Sequence, residues 1–198
     1  NDIFVATFFF YFADQIDGGT GNDTLDYSAY TSTNNITVTL GEINTEVNVT
    51  VAGGGNTDKV QNIENIIATE GNDLITGNTS ANTLIGNAGK DQLDGGDGDD
   101  KLYGDNIADD LAAVVDGSND DTLRGGAGND ELYGGKGNDT LSGGSGNDIL
   151  DGRTDIDTVD YSSASGSVTV DLGLHSVAQT VGGGEGIDTL ISIENIIG

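Results

Sequence analysis

The chain contains no cysteine, proline, methionine or tryptophan, and its 198 residues carry only 6 basic side chains against 34 acidic ones. Without cysteine there is no disulfide framework, no zinc knuckle and no thiol nucleophile. The single histidine, His175, sits in a Gly-Leu-His-Ser stretch that reads as a loop, and it has no second histidine with which to build a zinc-protease site. No Gly-x-Ser-x-Gly motif occurs. A formal net charge of -28 repels phosphate backbones, which argues against nucleic acid as a partner. No apolar run approaches the roughly 20 residues that would span a bilayer, and the aromatic run 8–12 (FFFYF) is far too short.

What is present is glycine, 33 residues of it, and aspartate, which supplies 27 of the 34 acids. Low hydrophobicity with this much charge ordinarily signals disorder. Here the charge is periodic. Gly125 to Tyr133 (GGAGNDELY), Gly134 to Ser142 (GGKGNDTLS) and Gly143 to Asp151 (GGSGNDILD) are consecutive copies of one nonapeptide, and Gly18 to Asp26 is an isolated copy. Asp121, Asp130, Asp139, Asp148 and Asp157 therefore stand nine apart, as do Asp73, Asn82, Asp91 and Asp100 in an earlier tract.

Each position has a physical task. Glycines at the first, second and fourth places permit positive φ, so the backbone turns sharply with its carbonyls converging. The sixth residue, almost always Asp, is a short carboxylate suited to a hard cation. The eighth is aliphatic in every copy: Leu25, Ile75, Leu84, Leu93, Leu102, Leu123, Leu132, Leu141, Leu150 and Val159. With polar neighbours at the seventh and ninth places, it marks a short half-buried strand. Six residues of turn and three of strand cannot bury a core alone, so copies must stack, two per coil. A solvated acidic face, the plain alternative, has no need of glycine at fixed offsets.

The run resembles the repeat-in-toxin (RTX) family of hemolysin-type calcium-binding nonapeptides, and the resemblance covers most of residues 14–160. It implies an all-β fold, a parallel β-roll or β-solenoid, with Ca²⁺ held between repeats n and n+2 on the same edge. Carried onto this chain, it pairs Asp121 with Asp139, Asp130 with Asp148, Asp139 with Asp157 and Asp73 with Asp91, and it places Asp23 and Asp100 among the metal ligands. Turn carbonyls of Gly126, Gly128, Gly135, Gly137, Gly144 and Gly146 are expected to complete shells of about 6–8 oxygens. Departures predict weak places. Asn82 replaces an Asp, Gly77 to Ser80 lacks two of the glycines, and Arg153 takes a second position.

A longer duplication flanks the nonapeptides. Asp26-Tyr27-Ser28-Ala29 resembles Asp160-Tyr161-Ser162-Ser163, Ile36 to Leu40 resembles Val168 to Leu172, and Asn62 to Ile67 resembles Ser192 to Ile197. Alternating apolar and polar residues predict strands here, widening the roll into a small two-sheet segment. Glu64 and Glu194 occupy equivalent places and are expected to make capping or strand-end hydrogen bonds. The chain divides into a cap or partial repeat (1–17), a first duplicated unit with one nonapeptide (18–70), a first roll tract (71–105), an insertion (106–116), a second roll tract (117–160) and a second duplicated unit (161–198). The insertion predicts either two short rolls or one roll with a protruding loop. The aromatic segment 8–12 is expected to cap the open core or to meet a neighbouring domain of a longer chain.

The expected function is structural rather than enzymatic: a calcium-binding module of a large secreted bacterial protein, folding on calcium outside the cell. The resemblance implies type I secretion and an extracellular or cell-surface location. Two other parents fit the same segment, namely a secreted protease, lipase or polysaccharide epimerase with its catalytic domain elsewhere, or an adhesin or surface-layer protein that self-associates through calcium. Tyr103 and Tyr133, at outward ninth positions, are candidates for stacking on a surface glycan.

Overall fold

The computed structural model describes residues 1–6, 14–30, 34–52, 57–106, 119–174 and 176–198. The aromatic segment 8–12, the stretch 107–115 and His175 lie outside these residues. Each nonapeptide ends in a strand whose eighth residue points inward and whose neighbours do not, as in Thr24–Asp26, Thr83–Ile85 and Thr158–Asp160. All ten aliphatic eighth residues are buried, and they form one narrow core.

Consecutive nonapeptides supply opposite sheets. Thr122–Ala127 and Thr140–Ser145 lie in a ten-stranded sheet, whereas Glu131–Gly135 and Ile149–Arg153 lie in a nine-stranded one. In both sheets the strands of successive nonapeptides run parallel and in register, Leu123 opposite Leu141 and Leu132 opposite Leu150. The described residues are all-β, a parallel β-roll in which one nonapeptide pair makes one coil.

The roll continues across the 21-residue gap in the aspartate spacing. Gln92–Asp97 pairs with Thr122–Ala127, and Lys101–Tyr103 with Glu131–Gly135, so neither sheet is interrupted. A Cβ built on Gly135 would meet Asp105, and one on Gly137 would collide with the Asn119 carbonyl oxygen. Asp105 and Asn119 thus hold the second and fourth places of one turn, and residues 107–118 interrupt that turn between its third and fourth places.

The duplicated units depart from parallel pairing, each in its own way. In the first, Ile36–Thr39, Val47–Val51 and Thr57–Gln61 form an antiparallel meander that extends the ten-stranded sheet to Gln15–Asp17. In the second, Ala178–Thr180 runs antiparallel to Ile187–Ile191 at the rim of the nine-stranded sheet. Tyr27 and Tyr161 are fully buried at matching places in the two copies.

Candidate metal sites along the two edges

The sixth residue of each nonapeptide closes the turn and starts the strand, so stacking lines these residues up along two edges of the roll. On one edge each backbone amide donates to a side chain one coil on. Ile36 donates to Asp73, Asp73 to Asp91, Asp91 to Asp121, Asp121 to Asp139, Asp139 to Asp157 and Asp157 to Glu194, all between 2.6 and 2.9 Å. On the other edge Asp2 donates to Asp23 and Asp23 to Glu64, and then Asn82 donates to Asp100, Asp100 to Asp130, Asp130 to Asp148 and Asp148 to Asp188, between 2.6 and 3.1 Å. The four aspartate pairs expected from the sequence are neighbours in these ladders.

The amide bond uses one carboxylate oxygen and leaves the other. Oδ2 of Asp23, Asp91, Asp100, Asp121, Asp130, Asp139, Asp148 and Asp157 is buried with no hydrogen-bond partner. All but that of Asp148 share the space under the first glycine of their own repeat with a backbone carbonyl oxygen. A Cβ on Gly125 would collide with Asp130 Oδ2 and lie 2.6 Å from the Gly143 carbonyl oxygen, and one on Gly134 would collide with Asp139 Oδ2 and lie 2.9 Å from the Gly152 carbonyl oxygen. Two oxygens facing one space with no hydrogen between them repel, and a carboxylate oxygen buried in this way is costly unless a proton or a cation joins it. Among the described residues no three acidic side chains cluster as a metal site, so any hard cation here must draw on backbone carbonyls as well.

The glycines of the turn make this stacking possible. Gly126 and Gly144 have φ of 115° and 93°, and a Cβ on Gly144 would strike the Gly126 carbonyl oxygen. Gly146 stands in the same relation to the carbonyl of Gly128. Gly135, also at positive φ, has its carbonyl engaged by the amide and hydroxyl of Thr154, both at 3.1 Å. The first-position carbonyls of Gly104, Gly125, Gly134, Gly143 and Gly152, which the sequence reading did not single out, lie 2.3–2.9 Å from the same Cβ positions that meet Oδ2 of Asp91, Asp100, Asp121, Asp130 and Asp139.

Burial governs the electrostatics. It pushes Asp121 up to about 10, with the charge of Asp91 adding to the effect against the opposing hydrogen bond from the Asp91 amide. Burial likewise raises Asp91 and Asp139 to about 8. Asp100, Asp148 and Asp157 rise to about 7 and Asp130 to about 6, again chiefly through burial. The row resists full ionisation unless positive charge is supplied.

Several places are satisfied internally. Asn82 accepts the Asn78 amide on Oδ1 and donates Nδ2 to the Glu64 carbonyl, both at 2.8 Å, so no charged oxygen is left over. Asp73, raised to about 6 mainly by burial, accepts from the Thr69 amide and hydroxyl at 2.9 and 3.0 Å. Tyr27 donates its hydroxyl to Asp58 and Tyr161 to Asp188, at 3.0 and 2.8 Å. Glu64 and Glu194 accept the amides of Asp23 and Asp157 at 2.8 and 2.9 Å, the strand-end role that their equivalent sequence positions suggested. Arg153 adopts φ of 72° and bonds Asp151 through Nε at 3.0 Å, while Oδ2 of the neighbouring Asp157 stays unpartnered. On the outer face Tyr103 and Tyr133 stack on each other at 4.9 Å, and the Arg153 guanidinium lies 4.9 Å from the Tyr133 ring.

The family model described as the RTX calcium-binding nonapeptide repeat (4 copies) matches residues 11–29, 62–91, 76–109, 115–150 and 125–159, together more than half of the chain. No curated protein matches the sequence.

Proposed function

Since this chain belongs to the family of RTX calcium-binding nonapeptide repeats, we propose that it is a non-enzymatic, calcium-dependent structural module whose two edges carry the ions. The observation that supports this most directly is the row of eight buried aspartate oxygens without a hydrogen-bond partner. Asp91, Asp121, Asp139 and Asp157 on one edge, with Asp23, Asp100, Asp130 and Asp148 on the other, would hold the cations through those oxygens. Turn carbonyls, including those of Gly126, Gly128, Gly137, Gly144 and Gly146 and of the first-position glycines, would complete the shells. A bound calcium ion supplies the two positive charges that let adjacent carboxylates stay ionised side by side. Asp73 has donors for both oxygens and is the weakest of the expected ligands, and Asn82 offers no charge at all.

Such a chain couples folding to binding. The unfolded chain keeps its carboxylates in water and apart, and the fold brings them into two buried rows, so the free energy of holding the ions becomes free energy of folding. That suits a protein exported unfolded from a compartment poor in calcium and folded in one that is rich in it, and it supports a secreted or cell-surface bacterial parent. Among the described residues no helix is long and apolar enough to cross a membrane. An adhesin-like parent, or a secreted enzyme with its active site elsewhere, accommodates the same module.

Circular dichroism with and without a chelator tests the reading. The expected result is a largely unfolded chain without calcium and a β-rich one at millimolar calcium. Magnesium, which demands a tight octahedron and sheds water reluctantly, should substitute poorly. An unchanged spectrum on chelation would overturn the proposal.

A further inference from the structure

Beyond the residues matched by the family model, Gly183 to Ile191 (GGEGIDTLI) repeats the nonapeptide pattern at the end of the second duplicated unit. The structure stacks it like its predecessors. Gly183, Gly184 and Gly186 have φ of 62°, 96° and 93°. Leu190 is buried opposite Leu150. Asp188 accepts the Asp148 amide at 3.1 Å, and the Gly146 amide donates to the Glu185 carbonyl at 3.2 Å, just as the Gly128 amide donates to that of Ser145 at 3.0 Å. A Cβ on Gly186 would collide with the Gly146 carbonyl oxygen, as one on Gly146 would with that of Gly128.

Two features set this turn apart. The oxygen of Asp188 that other coils leave free accepts the Tyr161 hydroxyl at 2.8 Å. The third position, exposed at Asp97, Ala127 and Ser145, is here Glu185, which is only 6% exposed and has its Oε2 buried without a partner. Asp148, one coil back, likewise keeps an unpartnered Oδ2. The charge of Glu185 acts on Asp148 and that of Asp188 on Glu185, so the three lie close enough to interact. A long acidic side chain buried on this edge with an unpartnered oxygen, where the matching places at Asp97, Ala127 and Ser145 are exposed, needs a reason. Nothing in the turn's backbone geometry requires a glutamate there.

We propose that Asp148 and Glu185 form a calcium site on this turn, in which Glu185 Oε2 replaces the Asp188 oxygen claimed by Tyr161. The inference rests on the calcium-binding reading of the edges and extends it to a turn outside the matched residues and to a side-chain ligand from the third position. The first duplicated unit provides an internal contrast. Its matching stretch, Gly53 to Gln61, has Gly55 at the third position and Asp58 bonded to Tyr27, so it offers neither oxygen and no site is assigned there.

Calorimetric calcium titration of the whole chain, followed by tyrosine-sensitised terbium luminescence, tests this. Glu185→Gln should fold in calcium, bind one ion fewer per chain and lose part of the terbium emission excited through Tyr161. Glu185→Ser, which copies Ser145 at the matching place, should lose the same ion and serves if the amide variant does not fold. A full complement of ions at wild-type affinity in either folded variant would overturn the site while leaving the edge ladders intact. Absence of calcium uptake by the wild-type chain would instead defeat the broader reading on which this one depends.

Discussion

The amide of Asp121 donates to Asp139 Oδ1 over 2.8 Å, and Asp139 Oδ2 is left buried with no partner. One carboxylate therefore ties two coils together with its first oxygen and offers its second to a cation. Asp139 in turn donates its own amide to Asp157 at 2.8 Å, which places it in the middle of the ladder.

Substitution separates these roles. Asp139→Ala removes a carboxylate and strands the buried Asp121 amide, a loss of about 1–3 kcal/mol before any ion is considered. Asn82→Ala removes a neutral amide from a place with no charged oxygen to spare. Calcium titration of folding should show a large loss of affinity for Asp139→Ala and a small one for Asn82→Ala. Equal losses would contradict the assignment of ions to the Asp139 coil.

The pH dependence without calcium has a definite sign. Burial raises Asp91 and Asp139 to about 8 and Asp121 to about 10, against the ordinary carboxyl value of 3.8 in an unfolded chain. The fold then holds protons that the unfolded chain releases, so this stabilisation is fully present below about pH 4 and is lost as pH rises through the folded values. In calcium-free buffer the far-ultraviolet signal of the roll should be stronger at pH 5 than at pH 8. With calcium present the preference should reverse, because protons compete for the same oxygens. A flat calcium-free profile over this range would count against the buried carboxylate rows.

Tyr27 provides a place where the fold depends on a phenol and not on an ion. Its ring is fully buried and its hydroxyl donates to Asp58 at 3.0 Å. Tyr27→Phe keeps the packing and removes the donor to a charged acceptor, at a cost of about 1.5–3 kcal/mol. Urea unfolding in saturating calcium should register that loss, with the number of bound ions unchanged.

The core is one residue wide, so single truncations in it are severe. Leu132→Ala opens a cavity between two sheets and should cost about 2–5 kcal/mol. Leu74, at a seventh position and 45% exposed, should tolerate Ala within about 0.5 kcal/mol. Thermal midpoints in calcium compare the two.

Much of this molecule is written in nine residues at a time. Glycine offsets, a sixth-position carboxylate and an inward eighth residue are local matters of φ, side-chain length and strand alternation, so the β-roll, its aliphatic core and the Asp rows were legible in the sequence. The strand-end role of Glu64 and Glu194 was legible too, because the duplicated units place them alike. Other features depend on residues far apart in the chain. Only stacking shows that residues 107–118 interrupt a single turn, since Asp105 and Asn119 must be seen against Gly135 and Gly137. Only packing shows that Tyr161, 27 residues from Asp188, quenches its free oxygen. Glu185 carries no distinguishing mark in the sequence, and its burial follows from how the last coil seats on the one before it. A repeat sequence sets the shape of each turn, whereas the protons and charges reaching a buried oxygen come from whichever coil the fold lays against it.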